Sequence, residues 1–109
     1  MNRSDFNNLV DRRIEKIRAT LSDKASEYAT DGTAFYNFFR ASEINRKRPE
    51  SALWDMATKH LVSIIDMVES EQDYEPEYID EKIGDMINYL ILLEGIMKAS
   101  HEINNRFKP

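Results

Sequence analysis

Polar and ionisable side chains interrupt two otherwise apolar helical segments, and they are the residues that could carry chemistry. In the C-terminal segment, Glu81, Asp85 and Asn88 are spaced i, i+4 and i+7, which places them on one face of a helix. Two carboxylates one turn apart can hold a hydrated Mg²⁺ or pair with cations. Alternatively, these residues serve only the fold: Glu81 is exposed, and Asp85 and Asn88 form hydrogen bonds with helix ends or neighbouring groups. The spacing is compatible with both interpretations.

The preceding helical segment carries Lys59 and His60 near its middle. Lys59 could bind a phosphate as a point charge, and His60 could donate or accept a proton near neutral pH. Alternatively, Lys59 pairs with Asp55 one turn earlier and His60 is simply a packed amphipathic side chain. A functional role requires Lys59 and His60 to face inward, across a gap from Asp85 and Asn88.

Five aromatic side chains lie close together earlier in the chain: Tyr28, Phe35, Tyr36, Phe38 and Phe39. They could form a stacking surface for a base, although aromatics at helical spacing are also typical of a core. Asn37 and Arg40 are interleaved among them. We therefore count Tyr28, Asn37, Phe38 and Arg40 as candidate ligand contacts.

Composition limits the class of protein. The 109 residues are 41% apolar and 32% charged, with three Gly and three Pro, which predicts one globular helical domain over residues 1–109. The absence of Cys excludes a disulfide framework and a thiolate metal site, and it suits a cytoplasmic location. The start of the chain shows no secretory signal. The longest apolar run, Tyr89 to Leu93, is too short to cross a membrane.

Charge is distributed unevenly along the chain. Residues 1–48 contain ten Lys and Arg against seven Asp and Glu, whereas residues 49–109 contain five against thirteen. A mainly acidic half argues against nucleic acid as a partner, because phosphates require clustered cations. The single basic cluster, Arg46–Lys47–Arg48, is interpreted either as a solvated loop or as a contact to an anion or a partner.

The elements that must position these residues are helices. Apolar residues recur at spacings of three and four in four segments: a first helix with Ser4 as its N-cap and reaching Tyr28, a second over about 34–44, a third from Pro49 to about Ser70, and a fourth from Pro76 to about Asn105. The third and fourth are long helices of more than twenty residues each. Long helices joined by short loops pack antiparallel, so we expect an all-α bundle of about four helices.

The fourth helix is apolar on most of its sides between Met86 and Met97. A small monomeric bundle rarely surrounds one helix completely. We therefore expect a homo-oligomer in which a partner subunit covers the remaining apolar surface.

These residues, taken in order, resemble a known family. Tyr28, Asn37–Phe38, Lys59–His60 and the stretch from Glu81 to Tyr89 are similar to a group of small phage and prophage proteins of MazG-like, or nucleotide-modification-associated, type. The resemblance covers about residues 26–100. Its most specific part is the pattern Asp-x-x-Asn-Tyr that ends at Tyr89 and precedes an apolar run.

The MazG-type pyrophosphatases hydrolyse nucleoside triphosphates with Mg²⁺, which is held by a Glu-x-x-Glu on one helix and a Glu-x-x-Asp on the next. Asp85 matches the aspartate of the second motif, but Lys82 stands where its glutamate is expected, with Glu81 one place earlier. The first motif corresponds to the stretch from Thr58 to Val62, which holds no carboxylate. A two-metal site needs several anionic oxygen ligands, so this departure from the family pattern favours nucleotide binding without hydrolysis.

Three functions remain open. The first is a module that binds a small phosphorylated ligand of the nucleotide class and needs no cofactor; for a phage protein, the analogy is sequestration of a host defence signal. Phosphate would meet Lys59, His60 and Arg40, while base or ribose would meet Asp85, Asn88 and Tyr89. The second is a Mg²⁺-dependent pyrophosphatase with Glu81 and Asp85 as metal ligands, helped by Asp55 or Asp66. The third is an interaction protein whose polar positions only set helix register.

Overall fold

Helices form every regular element that the structure describes. The computed structural model describes residues 1–23 and 35–106. Within these ranges there are four α-helices and one π-helical turn, and no strand: α1 (Arg3–Arg18), the π-turn (Ala19–Asp23), α2 (Tyr36–Asn45), α3 (Pro49–Glu69) and α4 (Pro76–Arg106). The predicted all-α fold with about four helices, two of them long, is confirmed. No helix among the described residues is long and apolar enough to cross a bilayer.

The first helix begins at a different residue from the predicted one. Asn2, rather than Ser4, is the N-cap, and its side chain accepts a hydrogen bond from the Asp5 backbone N–H at 2.8 Å. The Asp5 carboxylate in turn accepts from the Asn2 backbone N–H at 3.2 Å. This reciprocal pair satisfies two backbone donors at once, so it fixes the helix start two residues earlier than a single Ser cap would.

The basic cluster Arg46–Lys47–Arg48 forms the connection between α2 and α3. Arg46 adopts a left-handed conformation with φ of 54° and closes α2, and Pro49 then opens α3 in its first turn. Lys47 pairs with Asp55 at 2.5 Å and Arg48 pairs with Glu50 at 2.5 Å. Two of the three basic residues therefore join the loop to the beginning of α3.

The chain divides into two compact units, Met1–Ala34 and Phe35–Pro109. In the first unit, α1 buries none of its residues. In the second unit, α3 packs against both α2 and α4. Its core contains one cluster of buried side chains: Phe38, Leu53, Ala57, Met86 and Ile96. That residues 1–109 form one domain stays a prediction.

Two stripes face each other between α3 and α4. On α3, Leu53 and Ala57 are followed by His60 and Ile64 at spacings of three and four. On α4, a second series has the same spacing, and we call it the inner stripe: Asp85, Tyr89, Leu92 and Ile96. Because residues at this spacing share a helix face, the polar residues on these stripes lie in register with fully buried ones.

A glycine permits the close approach of α2 to α4. A Cβ atom on Gly95 would lie 2.5 Å from Cζ of Phe35, the residue that precedes α2. Atoms do not approach to this distance in a packed interior, so the contact requires a residue without a side chain. Gly95 therefore fixes how deeply the Phe35 ring sits against α4.

Candidate functional site

His60 is the polar residue that α3 directs toward α4. It lies two turns after Leu53, which is completely buried, and one turn after Ala57. Its side chain keeps 27% of its surface exposed. His60 is therefore held by the core on one side and reachable by solvent on the other, which is the environment that a ligand-binding imidazole needs.

Two residues of the inner stripe meet His60. Nδ1 of His60 lies 3.6 Å from Oδ2 of Asp85, and the imidazole ring lies against the Tyr89 ring with centroids 5.0 Å apart at an angle of 37°. Tyr89 also contacts Phe38 of α2 edge to face, with centroids 6.5 Å apart. We call Phe38, His60, Asp85 and Tyr89 the His60 cluster. It joins all three helices of the second unit.

The cluster combines three kinds of recognition group. A separation of 3.6 Å is too long for a hydrogen bond but close enough for an ion pair when His60 is protonated. Asp85 keeps 43% of its side chain exposed, so its free oxygen can accept hydrogen bonds from hydroxyl or N–H groups of a ligand. Tyr89 adds an aromatic ring. The arrangement can therefore offer a donor, an acceptor and a stacking surface within a few ångströms.

Asn88 stands beside the cluster with an unsatisfied atom. Its Oδ1 is buried and has no hydrogen-bond partner among the described residues. A buried acceptor without a partner costs about 1–3 kcal/mol, so a stable fold rarely keeps one without a reason. Along α4, Asn88 follows Asp85 by one turn and precedes Tyr89 directly.

The other predicted contacts are not gathered at the cluster. Lys59 and Asn37 are exposed, and Arg40 is exposed and pairs with Glu43 on its own helix at 3.0 Å. The prediction that Lys59 faces inward together with His60 is wrong, because consecutive helix residues point about 100° apart. Tyr28 lies outside the described residues.

The predicted metal ligands are Glu81 and Asp85. Glu81 is exposed, and Asp85 belongs to the His60 cluster. Among the described residues, no group of three or more His, Asp and Glu side chains could hold a metal ion. Lys82 stands where the family pattern expects a glutamate. Its Nζ atom lies over the Tyr78 ring, 5.3 Å from the ring centroid.

The aromatic residues near α2 serve the core more than an open stacking surface. Phe38 is buried, and Phe35 and Phe39 contact each other edge to face, with ring centroids 6.4 Å apart.

The sequence did not predict a separate groove of about 460 Å³ between α3 and α4, which is lined by Glu50, Ser51, Trp54, Asp55, Leu93 and Met97. The signal available in the sequence was Trp54, the single Trp of the chain, near the start of the α3 segment.

No family model, no curated protein and no solved structure matches this chain.

Proposed function

We propose that the second unit binds a small phosphorylated ligand of the nucleotide class at the His60 cluster, without hydrolysing it. The observation that carries the proposal is the meeting of His60 with Asp85 and Tyr89 across the α3–α4 interface. Each residue was singled out from sequence for ligand chemistry, and the three come together on a partly exposed surface.

The roles follow from the chemistry of each group. The His60 imidazole would contact phosphate. Lys59 is exposed on the same turn of α3, where its long side chain could reach a phosphate from the solvent side. Tyr89 would pack against a base or ribose. Asn88 would donate or accept hydrogen bonds at the base edge, as amides do when they read bases.

Binding without hydrolysis follows from the residue types on α3. In the MazG-like family that we propose for this chain, α3 would supply a pair of glutamates to the metal ions. Here the corresponding stretch supplies Lys59 and His60. Cationic groups at these positions disfavour divalent metals and favour direct contact with phosphate.

A thermal-shift and calorimetric screen tests the proposal. The full chain is titrated with nucleoside mono-, di- and triphosphates, with Mg²⁺ and with a chelator. We expect at least one nucleotide to raise Tm by mass action, with an affinity that the chelator leaves unchanged. His60→Ala should weaken binding by about tenfold or more, the loss of a charge-assisted contact.

His101→Ala is the matched control, because His101 is an exposed histidine of α4 whose ring contacts Asn105. It should bind as the wild type does. If no nucleotide shifts Tm at millimolar concentration, the interaction-protein interpretation replaces this proposal. Mg²⁺-dependent release of pyrophosphate that disappears in Asp85→Ala would instead establish the pyrophosphatase.

A further inference from the structure

The charged side chains at the His60 cluster are few and of both signs. Nδ1 of His60 lies 3.6 Å from the Asp85 carboxylate, and Lys59 is exposed on the same turn of α3. When His60 is protonated, these side chains together carry two positive charges and one negative charge. The cluster can therefore neutralise a single negative charge on a ligand and little more.

Several other cations of the second unit are already engaged. Three basic side chains of α2 and the following loop are held by acidic neighbours: Arg40 by Glu43, Lys47 by Asp55 and Arg48 by Glu50. On α4, the Lys82 ammonium lies over the Tyr78 ring. A cation that leaves such a partner for a ligand gains only the difference between the two interactions. These residues therefore add little to the binding of a phosphate.

The two helices that form the cluster are acidic. α3 contains four Asp and Glu against one Lys, and α4 contains six against three Lys and Arg. Glu81, one turn before Asp85, is exposed, and so is Asp66, two turns after Lys59. Negative charges around a site repel an anionic ligand in proportion to the charge that the ligand carries. A polyphosphate is therefore disfavoured here more strongly than a ligand with one negative charge.

A bound divalent cation is the usual means by which a protein neutralises a polyphosphate. Such a cation needs several anionic oxygen ligands from the protein. Within residues 1–23 and 35–106, no group of three or more His, Asp and Glu side chains could hold one. The described residues therefore offer no ligand set that would offset the charge of a polyphosphate at the cluster.

We infer that the ligand of the His60 cluster is a nucleotide phosphodiester rather than a nucleoside di- or triphosphate. The inference rests on the proposed ligand site and specifies the chemistry of its phosphate. A diester carries one negative charge per phosphate, whereas a terminal phosphate carries about two at neutral pH, and each further phosphate adds another. His60 and Lys59 meet the single charge, while Asp85 and Tyr89 stay available to the ribose and base.

A series of related compounds tests the inference. The full chain is titrated by calorimetry, with a chelator present, with a nucleoside monophosphate, the methyl ester of that monophosphate, the diphosphate and the triphosphate. The series is repeated for adenosine, guanosine, cytidine and uridine. Base and ribose stay the same within each series while the phosphate charge increases. We expect the methyl ester, a diester, to bind most tightly and the triphosphate to bind about tenfold more weakly or worse.

Ionic strength shows whether charge is the cause. Salt screens the repulsion between exposed charges. The ratio of the triphosphate dissociation constant to the methyl-ester dissociation constant should therefore fall between about 50 mM and about 200 mM salt. A site that attracts polyphosphates would give the opposite trend. This measurement uses the unmodified chain, so it does not depend on whether a variant folds.

Two charge-removing variants of α4 form a matched pair. Asp85→Asn keeps the size of the side chain and removes the negative charge beside His60, so it should lower the same ratio by about threefold or more. The ratio is compared rather than either affinity, because Asp85 also contacts the proposed ligand. Glu102→Gln removes an exposed charge about 25 Å away along the helix, beyond the screening length of about 8–10 Å. It should leave the ratio unchanged.

Three results would overturn the inference. If the triphosphate binds as tightly as the methyl ester in the presence of the chelator, the site takes polyphosphates, and the nucleotide-binding function stands without this restriction. If the ratio is unchanged by salt and by Asp85→Asn, charge does not set the preference. If none of the compounds binds at millimolar concentration for any of the four bases, the ligand site itself is rejected together with the inference.

Discussion

Two stripes of α4 reverse the usual relation between polarity and burial: the inner stripe, and an outer stripe formed by the exposed residues Ile79, Leu90 and Met97, which lie eleven and seven positions apart. The inner stripe faces α3 and contains the fully buried Ile96, yet it also contains Asp85, which pairs with His60. The outer stripe is entirely apolar, yet Leu90 and Met97 are about half exposed. A chain optimised only for its own core would exchange these two patterns. Core packing within one chain does not by itself account for this difference.

The two stripes also differ in what they contribute to stability. Ile96 and Leu53 are the large side chains that the second unit buries completely, and they lie where α3 and α4 pack together. The polar residues of the inner stripe contribute less, because burying an ionisable group offsets much of its attraction. Stability should therefore depend on a few residues of the inner stripe and hardly at all on the outer one.

The largest expected effect is that of Ile96→Ala. The substitution should lower the free energy of unfolding by about 2–5 kcal/mol, because it removes buried methyl groups and leaves a cavity. Urea unfolding followed by circular dichroism measures it. Met97→Ala, one residue away on the outer stripe, should cost about 1 kcal/mol or less. Equal costs for the two variants would remove the distinction between the stripes.

Gly95→Ala should cost about 1–2 kcal/mol despite the better helix propensity of alanine. The new Cβ would lie 2.5 Å from Cζ and 3.0 Å from Cε1 of Phe35, and overpacking of this kind costs about 1–3 kcal/mol against a propensity gain of about 1. Phe35→Leu in the same chain should relieve the contact and recover part of the loss. A Gly95→Ala chain that is more stable than the wild type would contradict the close packing of Phe35.

Asn88→Leu should stabilise the chain by about 1–2 kcal/mol while it removes ligand binding. The gain is expected because Oδ1 of Asn88 is buried without a partner, and replacing such a group by an apolar one of similar shape removes its desolvation cost. Thermal unfolding and the nucleotide screen measure the two effects separately. Asn37→Leu, at an exposed position of α2, should change neither. A destabilised Asn88→Leu chain would show that the amide serves the fold.

The smallest effect is expected at the exposed ion pair of Glu94 and Lys98 on α4, beside Leu90 and Met97. A hydrogen bond from Lys98, 2.8 Å away, lowers the pKa of Glu94, and the same bond raises the pKa of Lys98. The lowered pKa of Glu94 means that this residue stabilises the folded chain above its unfolded-state pKa, and that the stabilisation is lost as the pH falls through its folded-state pKa. The raised pKa of Lys98 means that this residue stabilises the folded chain below its unfolded-state pKa, and that the stabilisation is lost as the pH rises through its folded-state pKa.

Because solvent screens this pair, Glu94→Gln should leave Tm at neutral pH within experimental error. An NMR titration of the Glu94 carboxyl should nevertheless show a pKa below the ordinary glutamate value, returning toward it in Lys98→Met. A clear loss of Tm in Glu94→Gln would mean that the exposed side of α4 also contributes to the fold.

Much of the site could be predicted from spacing, and the error at Lys59 came from setting spacing aside. The interval of four between Asp85 and Tyr89 placed them on one face, and the position of His60 on the Leu53 stripe placed it inward. Lys59 adjoins His60 but does not share that stripe, so periodicity alone predicts that its side chain points elsewhere. What periodicity could not supply is the partner of His60, because that depends on how α4 packs against α3.

The sequence by itself determined the helices, since apolar residues at intervals of three and four require an amphipathic helix, and Pro49 and Pro76 mark where two of them begin. It also determined which side chains share a face. Only the tertiary structure decided which of those faces meet: that His60 lies against Asp85 and Tyr89, that Oδ1 of Asn88 is left without a partner, and that the outer stripe is left exposed. The reason is that helical periodicity is a property of neighbouring residues, whereas the contacts of His60 with Asp85 and Tyr89 join residues more than twenty positions apart.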